Sequence, residues 1–223
     1  MRKLVIQEDQ TTYAGNFSSP AFALWGAGAR IIEGLYRAFT DYGVGLNDIS
    51  LDTSPDSTSL GVKVDLGKLG DYKFSFEQVE WTMSGINDED LSRIPEVLRN
   101  GDKWLRSAIH DFAFELHSFN YYSHNSLSDG TSKDFLREFS KADIPDVGIS
   151  SGNGLIFHWD LPEQSWRMNL TIDHSNVFTD GLFIDQEVIA LADKVDYAKL
   201  MVSSRALLKD TLAKIGLEFE SEV

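Results

Sequence analysis

Leu155-Ile156-Phe157-His158-Trp159-Asp160-Leu161 and Trp166-Arg167-Met168-Asn169-Leu170-Thr171-Ile172-Asp173 read as two successive strands. Leu155, Phe157, Trp159 and Leu161 alternate with Ile156, His158 and Asp160; Trp166, Met168, Leu170 and Ile172 alternate with Arg167, Asn169, Thr171 and Asp173. A period of two puts one face of each strand in a core and leaves the other to polar side chains. Pro162-Glu163-Gln164-Ser165 between them is turn chemistry, too short for a helical crossover, so the strands are antiparallel neighbours. A meander of this kind belongs to an α+β chain and not to a doubly wound parallel sheet.

Downstream, Asp180-Gly181 is a short hairpin signal between Val177-Phe178 and Leu182-Phe183-Ile184. A long C-terminal helix follows from Tyr197, Leu200, Met201, Ser204, Leu207, Leu208, Leu212 and Ile215, with Gly216 as its stop. Upstream, Phe112, Phe114 and Leu116 alternate with Ala113, Glu115 and His117 as a strand, residues 121–131 read as a Ser/Asn/Gly-rich loop, and Asp134–Phe139 as a short helix. Asn87-Asp88-Glu89-Asp90 opens a mid-chain helix, which Pro95 and Asn100-Gly101 divide in two. Val62, Val64 and Leu66, then Tyr72, Phe74 and Phe76, form a hairpin over about 60–83 around Gly70-Asp71, and a change of apolar face predicts a bulge near Glu77–Gln78.

Leu24, Gly28, Ile31, Ile32, Leu35, Tyr36, Phe39 and Tyr42 predict a long N-terminal helix from about Phe22 to Tyr42. Gly26, Gly28 and Gly34 inside it cost roughly 1 kcal/mol each against Ala, which close packing on a sheet would offset. The expected architecture is therefore one α+β domain over residues 1–223. Its antiparallel, meander-rich sheet packs against a long N-terminal helix, a broken mid-chain helix and a long C-terminal helix. The stretch 121–131 is the place for any subdivision. The sequence shows no internal repeat.

Composition limits the chemistry. Cys is absent, which excludes a disulfide framework, a cysteine nucleophile and Cys-ligated zinc or iron–sulfur centres. Thirty-five Asp and Glu against 20 Lys and Arg give a formal charge of −15, unsuited to a general nucleic-acid binder. The opening residues lack the apolar run of a signal peptide and no segment reaches the roughly 18–20 apolar residues of a spanning helix. The expectation is a cytoplasmic protein with no membrane and no nucleic-acid partner; nothing in the sequence indicates a homo-oligomer.

The charge is localised. Residues 143–193 carry nine acids and one base, Arg167, and residues 41–61 carry Asp41, Asp48, Asp52 and Asp56 with no base. Solubility alone accounts for a net charge of this size; a surface that steers a basic protein partner does so too. On the second reading Asp143, Asp146, Asp180, Asp185 and Glu187 are the partner-binding residues.

Catalytic motifs fail on context. Gly26-Ala27-Gly28 lacks the third glycine of a dinucleotide fingerprint, since position 31 is Ile31. Gly148-Ile149-Ser150-Ser151-Gly152 has the letters of a nucleophile elbow, but Asn153-Gly154 and a strand follow where a helix is required. His110-Asp111 has no upstream histidine to complete a metal-phosphohydrolase set. A looser set remains: Glu115 with His117, His158 with Asp160, and Asp173 with His174 would converge on a divalent metal if their strands were neighbours. No other cofactor is expected.

The leading expectation is a non-enzymatic binding protein with an acidic surface for a basic protein partner. The alternatives are a metal-assisted hydrolase built on those His and carboxylate residues, and a carrier of a small apolar ligand held between the sheet and the C-terminal helix.

Overall fold

The computed structural model describes residues 1–25, 28–52, 61–85, 88–139 and 154–220. Helices and an antiparallel sheet make it α+β, as expected, but the chain opens with a strand and not with a helix. Strand β1 spans Arg2–Phe17. Its inward positions include Asp9, Thr11, Tyr13 and Phe17, half of them polar, so an apolar count passes over it. The residues read as one long N-terminal helix form α1, Phe22–Trp25, and α2, Gly28–Phe39, ending in a 3-10 turn at Thr40–Tyr42. Gly26 and Ala27 lie outside the described residues.

The chain forms two compact units. The first comprises Thr11–Phe119 with Ile189–Val202. It contains the end of β1, α1, α2, β2 (Ile49–Asp52), β3 (Gly61–Asp65), β4 (Asp71–Ser75), β5 (Gln78–Ser84), α3 (Asp88–Ala108) and the start of β6 (Phe114–Leu127). Its strands run in the order β2-β3-β4-β5-β1-β6. Register places Val62 beside Phe74 and Phe74 beside Val79, and Val64 beside Tyr72 and Tyr72 beside Trp81. All six are buried, two apolar rows on one sheet face. On that face Phe39 meets Tyr72 at 4.9 Å between ring centres, and Trp104 meets Phe74 edge-on at 5.3 Å.

The expected bulge at Glu77–Gln78 is instead the turn between β4 and β5, where Ser75 Oγ donates to the Gln78 carbonyl at 3.0 Å. A tight reversal shifts the apolar positions by one in sequence while keeping them on one face in space. The mid-chain helix is also continuous where a break was expected: Pro95 sits inside α3. Burial of Leu91, Ile94, Val97, Leu98 and Leu105, at about 1.5–3 kcal/mol each, outweighs the roughly 3 kcal/mol that an internal proline costs. Gly101 does not end the helix. It admits the Tyr72 hydroxyl, which a Cβ there would meet at 2.5 Å.

Gly34 plays the same part between α2 and α3, because a Cβ at 34 would overlap the Trp104 indole. The helix glycine is thus offset by packing on another helix and not on the sheet. Gly34→Ala is expected to cost about 1–3 kcal/mol by overpacking, measured as a lowered urea midpoint. An unchanged midpoint would mean that the indole moves aside freely.

The second unit comprises Met1–Gln10, Asn120–Val188 and Ser203–Val223. It contains the start of β1, the rest of β6, α4 (Ser132–Arg137), β7 (Leu155–Leu161), β8 (Trp166–His174), most of β9 (Leu182–Ala190), the later turns of α5 (Tyr197–Lys214) and β10 (Leu217–Phe219). Its strands run β1-β6-β9-β8-β7, with β10 parallel to β1. The meander register pairs Phe157 with Leu170 and Trp159 with Met168. Met168, Leu170, Ile172, Leu182, Ile184, Leu208 and Leu212 are buried.

Residues 121–127, read as loop from their composition, are strand. Ser123 and Asn125 are fully buried there because Asn125 Nδ2 donates to the Ser123 hydroxyl at 2.8 Å. Asn125 Oδ1 has no partner among the described residues, so the stretch imitates a loop in composition although only its amide donor is met inside.

Among the described residues the two halves of the chain share an element order although the sequence shows no repeat: strand, helix, run of neighbouring strands, long helix, with four strands in the first run (β1, α1–α2, β2-β3-β4-β5, α3) and three in the second (β6, α4, β7-β8-β9, α5). In each, the last meander strand lies beside the opening strand.

Candidate functional site

Strand alternation in the second unit sorts side chains onto two faces. Leu182, Ile184, Gln186 and Val188 of β9 point inward, and Gln186 Nε2 donates to the Ser204 carbonyl of α5 at 2.9 Å. Phe183, Asp185 and Glu187 therefore stand on the opposite, open face, with Asn169, Thr171 and Asp173 of β8. A cross-strand ladder shows the face directly. His158 Nδ1–H donates to Asn169 Oδ1 at 2.8 Å, and Asn169 Nδ2 donates to Glu187 Oε2 at 2.9 Å. At the next rung Asp160 and Arg167 form an exposed ion pair at 3.5 Å, which stabilises little.

Asp185 is the informative carboxylate. Its pKa is raised, first by burial and then by the charge of Glu187. Among the described residues neither acid makes an ion pair. Two like charges thus share the face without a cation between them.

At the end of β8 and β9 the face dips into a pocket of about 490 Å³, lined by Glu8, Tyr122, His124, Thr171, Asp173, His174, Asn176 and Phe183. Three rings form one wall: His124 lies 4.9 Å from Phe183, and Tyr122 lies 6.3 Å from Phe183 and 6.4 Å from His124. Ser175 holds the histidine. Its Oγ accepts the amides of Val177 at 3.1 Å and Phe178 at 2.9 Å, so its own proton goes to His124 Nδ1 at 2.9 Å. Neutral His124 consequently carries its proton on Nε2. His174 Nδ1 bonds Ser132 Oγ at 2.8 Å, while its buried Nε2 has no hydrogen-bond partner among the described residues. Asp173 Oδ1 accepts the His174 amide at 2.7 Å.

The expected metal set divides between the units. Glu115 and His117 belong to the first; His158, Asp160, Asp173 and His174 belong to the second. Among the described residues no three His, Asp or Glu side chains stand close enough to hold one ion. Glu115 is exposed, whereas His117 is fully buried at 0%. The Tyr13 hydroxyl donates to His117 Nδ1 at 2.7 Å, and Nε2–H faces the Asp193 carbonyl at 3.4 Å. Burial pushes the His117 pKa from 6.5 down to about 4, so the ring is neutral at pH 7.

Beside it Arg106 ties the Asp193 loop to α3. It reaches Asp102 at 2.7 Å and the Asp193 carboxylate at 3.1 and 3.2 Å, and the Phe114 amide adds a bond of 3.0 Å to Asp193. Burial opposes ionisation of Asp193, but these donors hold its pKa below the usual carboxylate value. The arrangement is a structural clamp.

Of the expected partner residues, Asp185 and Glu187 lie on the open face of the second unit. Asp180 occupies a positive-φ turn position and accepts the Ser132 amide through its carbonyl at 3.1 Å. Asp143, Asp146 and the Gly148–Gly152 motif lie outside the described residues. His110 and Asp111 pair with each other at 2.8 Å on the surface.

Compared with known protein families and with curated proteins, the chain matches none. Among the described residues no helix is long and apolar enough to cross a membrane. Sequence reading missed Glu8, Tyr122, His124 and Phe183. For Tyr122 and His124 the signal, alternation through 121–127, was hidden by buried Ser123 and Asn125; Glu8 lies on β1 and Phe183 on β9.

Proposed function

We propose that this is a non-enzymatic binding protein that docks a basic protein partner on the open sheet face of its second unit. The observation that carries the reading is the pair Asp185 and Glu187, half-buried two positions apart on one face of β9, with no cation paired to either among the described residues. Like charges on half-buried neighbouring positions destabilise the free protein, and a lysine or arginine brought to them removes the penalty. The Asn169 bridge fixes the Glu187 carboxylate, so less side-chain freedom is lost on binding.

A polylysine peptide titrated into the full chain tests this by calorimetry at increasing salt. Affinity is expected to fall as ionic strength rises. The double variant Asp185→Asn, Glu187→Gln is expected to bind about tenfold more weakly, equivalent to about 1.4 kcal/mol. Equal affinity for wild type and the double variant would overturn the proposal.

A further inference from the structure

Resting on that reading and naming its anchor, we infer that the pocket between Glu8, Tyr122, His124, Asp173 and Phe183 receives a single lysine or arginine side chain of the partner. It is an open depression of about 490 Å³, room for one long side chain laid against its wall. Guest chemistry follows from the lining. Tyr122, His124 and Phe183 line it, and aromatic rings of this kind favour an aliphatic stem that carries a cation.

Glu8 and Asp173 supply the charge. Neither makes an ion pair among the described residues, and the lining contains no Lys or Arg. One Asp173 oxygen is taken by the His174 amide, which orients the carboxylate and leaves Oδ2 open. An anion would meet two carboxylates here. A wholly apolar guest would desolvate both without replacing their hydrogen bonds. A cation on an aliphatic stem meets neither objection.

The wall is also prepared in advance. Ser175, held by two backbone amides, locks the His124 ring, so little ordering remains to be done when a guest enters. Packing of the guest against the aromatic wall of this open pocket governs dissociation, whereas the carboxylates Asp185 and Glu187 govern association. The two parts of the face are therefore separable by kinetics.

The test uses the full chain and three short neutral peptides that differ at one central residue: lysine, arginine or norleucine. Backbone and ring NMR shifts of Tyr122, His124 and Phe183 are followed during titration. The lysine or the arginine peptide is expected to move them saturably, the stronger of the two naming the guest, while the norleucine peptide leaves them unmoved. In Asp173→Asn, a conservative change at an exposed position, the response is expected to weaken about tenfold. Tyr122→Leu, which keeps an apolar side chain, is expected to speed polylysine dissociation about tenfold without altering its association rate.

If norleucine binds as well as lysine, or if both variants release polylysine at the wild-type rate, the pocket assignment fails while salt-dependent docking stands. If polylysine does not bind yet the single-lysine peptide still shifts these residues in a manner lost in Asp173→Asn, the pocket stands and the wider docking reading falls.

Discussion

Between pH 6.5 and pH 4 the protein is expected to lose about 3 kcal/mol of folding stability through one side chain, His117. Burial is the first cause of the depressed pKa: the ring is fully enclosed, and charging it would strand a cation among Tyr13, Phe114 and Tyr197. The unfolded chain has no such penalty and binds a proton near pH 6.5. Across the interval the unfolded state therefore holds more protons than the native state, and stability falls as pH falls. The contribution is complete above the unfolded pKa and gone below the folded one.

Asp102 and Asp185 act in the opposite direction, since burial raises both of their pKa values and protonation favours the native state. The measurement must therefore be a difference. Urea unfolding of wild type and His117→Phe at a series of pH values is expected to show a stability difference that shrinks by about 3 kcal/mol from pH 7 to pH 4. Phenylalanine fills the site without titrating. Parallel curves for the two proteins would refute the assignment.

Trp81→Ala is expected to be the most destabilising single truncation in the first unit, at about 3–5 kcal/mol. Trp81 is 0% exposed and belongs to the buried row with Val64 and Tyr72. It also makes a directed contact. Its Nε1–H donates to the Leu69 carbonyl at 2.7 Å, fastening the 3-10 turn Gly67–Leu69 to the sheet. That turn ends at Gly70, whose φ of 81° suits glycine and whose missing side chain leaves room for the Thr82 carbonyl. Truncation thus removes the packing and leaves the Leu69 carbonyl without its donor.

Trp81→Phe separates the two contributions. It keeps most of the ring and loses the hydrogen bond, for an expected cost of about 1–3 kcal/mol. Calorimetric unfolding of the three proteins checks the order. A Trp81→Phe variant as unstable as Trp81→Ala would mean that the bond to Leu69 dominates; equal stability of Trp81→Phe and wild type would mean that it contributes nothing.

Charge counting marks the segment that holds Asp185 and Glu187 as acidic, and strand β9 places both on the open face. In sequence Asp173 and His174 suggest metal chemistry, whereas the fold places them at an aromatic pocket with a tyrosine, a phenylalanine and a glutamate distant in sequence. Glu8 comes from a strand that apolar counting does not detect. Tyr122 and His124 come from a strand that composition disguises as a loop. A pocket assembled from β1, β6, β8 and β9 has no local signature, since each strand contributes only one to three of its side chains.

By itself the sequence determined what is periodic or additive. The meander, the C-terminal helix and its glycine stop follow from repeats of two and 3.6 residues. The acidic stretches follow from counting, and the exclusion of thiolate chemistry follows from the absence of Cys. Only the tertiary structure decided which polar groups go inside, because that depends on partners far away in the chain. His117 is buried because Tyr13 lies 104 positions earlier, and Gln186 because the Ser204 carbonyl faces it from a helix. A polar residue is tolerated in a core when its hydrogen bonds are met there, and that condition is non-local. The same non-locality turned an apparent N-terminal helix into two short helices that follow a long strand, and brought four separate strands together around one pocket.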